Sequence, residues 1–207
     1  MLDLGIINGH VILGSGISDA KPQDLLVKDS KTLNLLFVGR LLKSKGIVQA
    51  IDVFEKLKLS NNQIKLIIAG EIDPNNPDSI SNDYLEGIKT LEGVEFLGYV
   101  ENMNDVYFRS DILLFPSDYR EGVPRSIIES LSYGLTIVTK DMPGCKETVL
   151  NNGIITKNNF TKEAVNYIET LTDIKITSNK QESISLFNTK FSERVIFPKY
   201  SKIILDK

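Results

Sequence analysis

Two glutamates bound the run Glu121-Gly122-Val123-Pro124-Arg125-Ser126-Ile127-Ile128-Glu129, which comes directly after Ile112-Leu113-Leu114-Phe115 and a short polar connection. The apolar stretch 112–115 reads as a buried strand, and residues 121–129 read as a turn into a helix. Gly122 permits a tight turn. Pro124 suits the first helical position, where its fixed φ is helical and its missing N–H is not needed. Such a helix start presents unbonded N–H groups and the positive end of its dipole, so an anion is the favoured occupant. The N–H groups of Gly122, Val123 and Arg125 are candidate donors to it, whereas Pro124 has none to offer. A diphosphate meets that demand. Glu129 lies five positions beyond Pro124, about 7–8 Å along the axis, the scale that separates a bound phosphate from a neighbouring ribose. A carboxylate there can accept both ribose hydroxyls.

A second cluster is cationic. Arg40 and Lys45 stand in Val38-Gly39-Arg40-Leu41-Leu42-Lys43-Ser44-Lys45-Gly46, a turn directly after the apolar run Leu33–Val38. Open α/β sheets bind ligands at the carboxyl ends of their strands. Fixed cations there can neutralise the charge that grows on a leaving diphosphate, in place of a magnesium ion. No D-x-D pair is present to hold a metal, and none is expected. Lys43 reads as a solvated charge. Gly70-Glu71 follows a second apolar run, where a small residue either admits a ligand or merely ends the strand. Tyr119 and Arg120 precede Glu121 and either reach a bound sugar or an anionic acceptor, or belong to a surface loop. His10 is the sole histidine, so neither a histidine metal site nor a triad is supported. Cys145, the sole cysteine, reads as an inert packing residue.

These residues need a scaffold that carries strand ends to one edge. Leu33–Val38, Ile64–Ala69, Val94–Leu97, Ile112–Phe115 and Leu135–Val138 read as strands, with helical segments at Tyr84–Leu91, Met103–Phe108 and Pro124–Tyr133. Ile47, Ala50, Ile51, Phe54 and Leu57 recur at steps of three and four and make one apolar helical stripe. The alternation predicts an α/β fold, a Rossmann-like parallel sheet with helices on both faces. Asp73-Pro74-Asn75-Asn76-Pro77-Asp78 reads as a flexible surface excursion. From Thr161 onward the pattern is helical, with stripes at Ala164, Val165, Ile168 and Leu171, and at Phe191, Val195, Ile196, Tyr200, Ile203 and Ile204.

A net charge of −3 gives no basic excess, which argues against nucleic acid as a partner. One cysteine rules out an internal disulfide framework, and no apolar run approaches the length of a membrane span. Met1–Ser18 lacks the basic start and unbroken apolar core of a signal peptide. The expectation is a cytoplasmic protein.

Glu121 and Glu129 resemble the E-x7-E motif of retaining GT-B glycosyltransferases, and Gly39 to Gly46 resembles the G-R-L-x-x-x-K-G phosphate loop of the large family numbered four. Phe115-Pro116-Ser117-Asp118-Tyr119-Arg120 and Leu135 to Val149 are similar to the branch that builds capsule, O-antigen and other lipid-linked surface polysaccharides. The likeness covers nearly the whole chain but half of such an enzyme, the C-terminal donor-binding half of a GT-B fold. It implies that Arg40 and Lys45 face the diphosphate of a UDP-sugar, and that Glu129 holds the ribose. Glu121 would sit beside the transferred sugar and stabilise positive charge at its anomeric carbon. Leu97-Gly98-Tyr99-Val100 resembles the segment that lines the nucleotide base, through main-chain groups of Val100. Many relatives carry Gly where Pro124 stands.

The resemblance also implies a division of the chain. Residues 1–30 match an interdomain hinge of S-G-V-D type, residues 31–190 the nucleotide-sugar domain, and residues 191–207 a last helix that braces an absent N-terminal domain. The expected reaction is transfer of a hexose or N-acetylhexosamine from a UDP-sugar to a lipid-linked or surface-glycan acceptor. Peripheral membrane association of the full enzyme would go with it, and the isolated chain is expected to bind UDP with little turnover. Two alternatives are a non-catalytic nucleotide-sugar-binding subunit and an inactive remnant.

Overall fold

A computed structural model describes residues 12–18, 32–120 and 122–205. His10, most of the hinge-like segment and Glu121 therefore lie outside the described residues. The strands are β1 (Leu33–Val38), β2 (Ile64–Ala69), β3 (Val94–Gly98), β4 (Ile112–Phe115), β5 (Thr136–Lys140) and β6 (Gly153–Thr156). They form one parallel sheet in the order β3-β2-β1-β4-β5-β6. The order reverses between β1 and β4, which places a switch point at the centre of the sheet.

Beyond Asn34 in β1 and Lys65 in β2, the runs of β1, β2 and β4 are continuously apolar because both faces of the sheet are covered. Leu35 and Phe37 pack toward one face, with Ile112 and Leu114, against α1 (Ile47–Ser60), α2 (Asn82–Lys89) and α5 (Phe160–Glu169). Leu36 and Leu113 pack toward the other, against α3 (Asn104–Arg109), α4 (Arg125–Ser132) and the end of α6 (Asp173–Leu186). Every residue of the expected α1 stripe is buried. The helix α2 begins earlier than expected, because Ser81 Oγ accepts from Tyr84 N–H at 3.2 Å and caps it.

Two features differ from the sequence reading. The first is β6, whose four-residue run Gly-Ile-Ile-Thr lies among polar residues and is too short to register as a strand, yet it pairs with β5 through Ile137–Lys140. The second is α6, which has no clear apolar stripe because its buried face is polar. Asn179 Nδ2 donates to Thr136 Oγ1 at 3.2 Å and to the Tyr167 hydroxyl at 3.0 Å, and Ser183 Oγ donates to the Leu135 carbonyl at 2.6 Å. A π-helical turn, Phe187–Phe191, leads into α7 (Glu193–Leu205). Ile196 of α7 is buried, whereas Phe197, Tyr200 and Ile204 are exposed.

Candidate functional site: the strand ends around the switch point

The loops that leave β1 and β2 press together. Gly39 has φ 143° and donates its N–H to the Ala69 carbonyl at 3.0 Å. At Gly70 a Cβ would stand 1.8 Å from the Gly39 carbonyl oxygen. The small residue at position 70 is therefore required by the neighbouring strand exit. Gly70 also lines the adjoining hollow.

After β1 a short 3-10 turn, Lys43–Lys45, runs into α1 through Gly46 (φ 86°). A Cβ at Gly46 would lie 2.3 Å from Pro116 Cγ, so glycine lets this turn sit directly on the exit of β4. Asp118 N–H reinforces the contact by donating to the Ser44 carbonyl at 2.8 Å. The fold thus joins the two sequence motifs, Gly39–Gly46 and Pro116–Glu129.

The segment 73–80 is not the flexible excursion expected. It folds back onto the cationic turn because Asp and Asn side chains in it find backbone partners. Asp78 accepts from Ser44 N–H at 3.0 Å and from the Ser44 hydroxyl, and its own carbonyl accepts from Lys43 N–H at 2.9 Å. The Ser44 hydroxyl, then its N–H, hold the Asp78 carboxyl below the usual carboxylate range. Leu42 and Ser79 form an antiparallel bridge, and Ile80 N–H donates to the Leu41 carbonyl at 3.0 Å. Asp73 pairs with Arg40, Oδ2 to Nη1 at 2.9 Å. The Arg40 side chain is 54% exposed, so this pair directs the guanidinium more than it stabilises the fold.

Lys45 is half-buried in the same turn, with Nζ 4.8 Å from the centroid of the Tyr119 ring. Burial, and after it the charge of Arg40, hold its ammonium below the ordinary lysine range. Lys43 is exposed, as expected of a solvated charge. Tyr119 and Arg120 are exposed.

The helix α4 starts one residue later than expected. Pro124 is its N-cap, with an extended ψ of 132°, and not its first helical residue. Its ring satisfies φ in either role, and its carbonyl accepts the first helical bonds, from Ile127 and Ile128 N–H at 3.1 and 3.2 Å. The Arg125 N–H therefore stands ahead of that ladder. Gly122 is exposed, and among the described residues beyond its chain neighbours nothing lies within 4 Å of where its Cβ would be. Val123 is partly buried against the α4 face of the core.

Glu129 faces inward from α4 with its side chain 23% exposed. Tyr107 donates its hydroxyl proton to Oε2 at 2.8 Å, and Arg125 Nε donates to Oε1 at 2.7 Å. Tyr107 is buried and stacks on Tyr133, ring centroids 5.5 Å apart, while the Tyr133 hydroxyl donates to Asn104 Oδ1 at 2.8 Å. Burial, and then the Glu129 charge, push the Tyr107 phenol far above its ordinary range. The Glu129 hydrogen bond raises the Arg125 guanidinium in turn.

Two adjoining hollows open here. One, about 440 Å³, is lined by Arg40, Gly70, Glu71, Tyr99, Val100 and Met103 among others. The other, about 420 Å³, is lined by Met103, Asn104, Tyr107, Arg125, Glu129 and Tyr133 among others. Met103 belongs to both. Lys45, Gly122 and Val123 line neither. The candidate residues thus gather on one edge of the sheet, with Arg40, Tyr99 and Val100 on the first hollow and Glu129 and Arg125 on the second. Among the described residues, no group of three or more His, Cys, Asp or Glu side chains is placed to hold a metal ion. Cys145 is buried, and burial raises its thiol. Sequence reasoning missed Asp73, Asp78 and Tyr107. Asp78 carried a local signal, an Asn two residues before it whose Oδ1 accepts its N–H.

Residues 19–185 match the family model described as glycosyl transferases group 1. The chain belongs to that family. Among group 1 relatives, an N,N'-diacetylbacillosaminyl-diphospho-undecaprenol alpha-1,3-N-acetylgalactosaminyltransferase of Campylobacter jejuni is 26% identical over 172 residues, 82% of this chain and 43% of that protein. The capsular polysaccharide biosynthesis glycosyltransferase CapM of Staphylococcus aureus is 28% identical over 137 residues, 65% of this chain and 35% of that protein. The chain thus spans less than half the length of these group 1 relatives. In fold it is similar to the pneumococcal O-GlcNAc transferase GtfA, solved with UDP and GlcNAc (TM-score 0.75, 16% identity, 94% of this chain and 38% of that one). It is likewise similar to HepE of Anabaena, solved with UDP (TM-score 0.74, 20% identity, 86% of this chain and 50% of that one). Among the described residues, no helix of this group 1 chain is long and apolar enough to cross a membrane.

Proposed function

We propose that this chain is the donor-binding part of a retaining glycosyltransferase that takes a hexose or N-acetylhexosamine from a UDP-sugar. The observation that carries the reading is the arrangement at the switch point: Arg40 on one hollow, the half-buried carboxylate of Glu129 on the hollow that adjoins it at Met103, and Lys45 behind Arg40 in the turn after β1, close enough for its charge to feel the guanidinium. Arg40 and Lys45 take the diphosphate and offset the negative charge that accumulates as the sugar–phosphate bond breaks. The Gly122, Val123 and Arg125 N–H groups add donors to the same phosphates. Tyr99 and Val100 border the base, and Glu129 accepts from the ribose. Glu121 meets the transferred sugar and stabilises positive charge at its anomeric carbon. No metal ion is needed where fixed cations do this work.

The acceptor is a lipid-linked or surface glycan, bound by another part of the enzyme, which would work from the cytoplasm in peripheral contact with the membrane. The names of the Campylobacter jejuni and Staphylococcus aureus relatives support that class, and the UDP in GtfA and HepE supports the donor.

Calorimetric titration of UDP into the purified chain tests the donor site. The expected result is binding that Arg40→Ala weakens about tenfold or more, the size of a lost charge-assisted hydrogen bond. A folded chain that binds no UDP, or an Arg40→Ala variant that binds it as well as the wild type, would falsify the reading.

A further inference from the structure

Glu129 is half committed to partners within the chain. An ionised carboxylate offers about four acceptor positions, two on each oxygen. Tyr107 occupies one on Oε2 and Arg125 one on Oε1, at 2.8 and 2.7 Å. One position remains on each oxygen, and both belong to a side chain that lines a hollow. Two acceptors side by side on one rigid carboxylate fit two adjacent hydroxyl donors.

The two residues that set this geometry differ in kind. Tyr107 is 2% exposed, stacked on Tyr133, and held as a neutral phenol by burial, so it is a fixed donor. Arg125 lies one helical turn before Glu129 with its side chain 74% exposed, and uses Nε alone for this contact. Together they remove the rotation that a lone glutamate on a helix face retains.

We infer that Tyr107 and Arg125 are positioning residues that orient the Glu129 carboxylate to read a vicinal diol, so that this site discriminates ribonucleotides from 2'-deoxyribonucleotides. The inference rests on the donor-site reading above and adds to it a selectivity with its own structural cause. Without the two partners the carboxylate still carries its charge but samples several rotamers, and it then gains from one hydroxyl nearly as much as from two.

The test is the ratio of affinities for UDP and 2'-deoxy-UDP, measured by calorimetry on the full chain for wild type, Tyr107→Phe and Arg125→Ala. The wild type should prefer UDP by about tenfold or more, as a hydrogen bond to a charged group supplies. Tyr107→Phe keeps the ring and its stack and should reduce the preference to about threefold or less. Arg125→Ala, at an exposed position where folding is not at risk, should reduce it by a smaller factor in the same direction. A purely structural role for Tyr107 would weaken both ligands alike and leave the ratio unchanged, and that outcome overturns the inference. If Tyr107→Phe fails to fold, an unchanged ratio in Arg125→Ala overturns it instead. A wild type that binds UDP and 2'-deoxy-UDP equally also overturns it while leaving the donor site standing. A folded wild type that binds neither overturns both readings.

Discussion

The two segments that flank the cationic turn are secured in opposite ways. On the β2 side, 73–80 is stitched to the turn by backbone bonds to Leu41 and Lys43 and by the Asp78 carboxylate, which accepts from Ser44 N–H. On the β4 side, among the described residues, Asp118 N–H donates to the Ser44 carbonyl, Lys140 Nζ pairs with Asp118 at 2.6 Å and Tyr119 N–H donates to Ser117 Oγ at 3.2 Å, while Tyr119, Arg120 and Gly122 are exposed. The difference matches a division of labour. On the proposed reading the diphosphate is common to all UDP-sugars, so cations that meet it are best held rigid before it arrives. The sugar varies, and Tyr119, Arg120 and Gly122, which flank the residue proposed to meet it, stand exposed.

The largest effect should come from breaking the point where the two sides touch. Gly46→Ala adds a Cβ 2.3 Å from Pro116 Cγ and 2.8 Å from the Pro116 carbonyl, at a φ of 86° that disfavours alanine. The turn and the β4 exit must then part, at a cost of about 3 kcal/mol or more. Denaturant unfolding monitored by circular dichroism measures it, and a loss below about 1 kcal/mol would mean that the two loops are not in firm contact.

Acid should loosen the β2 side through Asp78, whose carboxylate accepts from Ser44. Its folded pKa is lowered, so the stability it contributes is present above its ordinary pKa of 3.8 and is lost as pH falls through the lowered folded value. Asp78→Asn removes the titrating group, and its unfolding midpoint should fall less steeply than that of the wild type as pH drops below about 5. The midpoint at neutral pH should be lower in the variant. Parallel acid profiles for the two proteins would show that Asp78 does not hold this loop.

How much of this was legible depends on where each element stores its information. The βα alternation and the α1 stripe were legible because burial of one face imposes a period that side chains must obey. Arg40, Lys45 and Glu129 were legible as candidates from their types and spacing, and the fold brings Arg40 and Glu129 to two adjoining hollows at one edge of the sheet. Asp73 and Asp78 were misread because a run of Asp, Asn and Pro has the same composition whether it is solvated or bonded to a neighbouring backbone. The polar face of α6 hid for a related reason: Asn179 and Ser183 are buried by partners on β5, on α5 and just ahead of β5 that no local pattern encodes. Tyr107 was read as part of a helical segment, since its partner Glu129 is 22 positions away.

The smallest expected effect concerns the looser side, where the exposed Tyr119 ring faces Lys45 at 4.8 Å. Lys45 is repelled by Arg40 and partly desolvated, and both effects lower its pKa, burial being the larger. The π face offsets part of that by favouring the charged ammonium, an interaction of about 0.5–1 kcal/mol at a site this open. Tyr119→Leu should therefore weaken UDP binding by about two- to fivefold, and Tyr119→Phe, which keeps the face, should not. Because the ring stabilises the cation, its loss lowers the Lys45 pKa further, so affinity for UDP should decline at a lower pH in Tyr119→Leu than in wild type as pH rises toward the lysine range. Removing the Arg40 charge acts in the reverse sense: Arg40→Gln binds UDP more weakly but should keep what remains to higher pH. Calorimetric titrations between pH 7 and about 10, below the ordinary lysine value, read both shifts. Equal profiles for Tyr119→Leu and Tyr119→Phe would show that the exposed side contributes nothing to the cation pair, and the contrast between the two segments would then be complete.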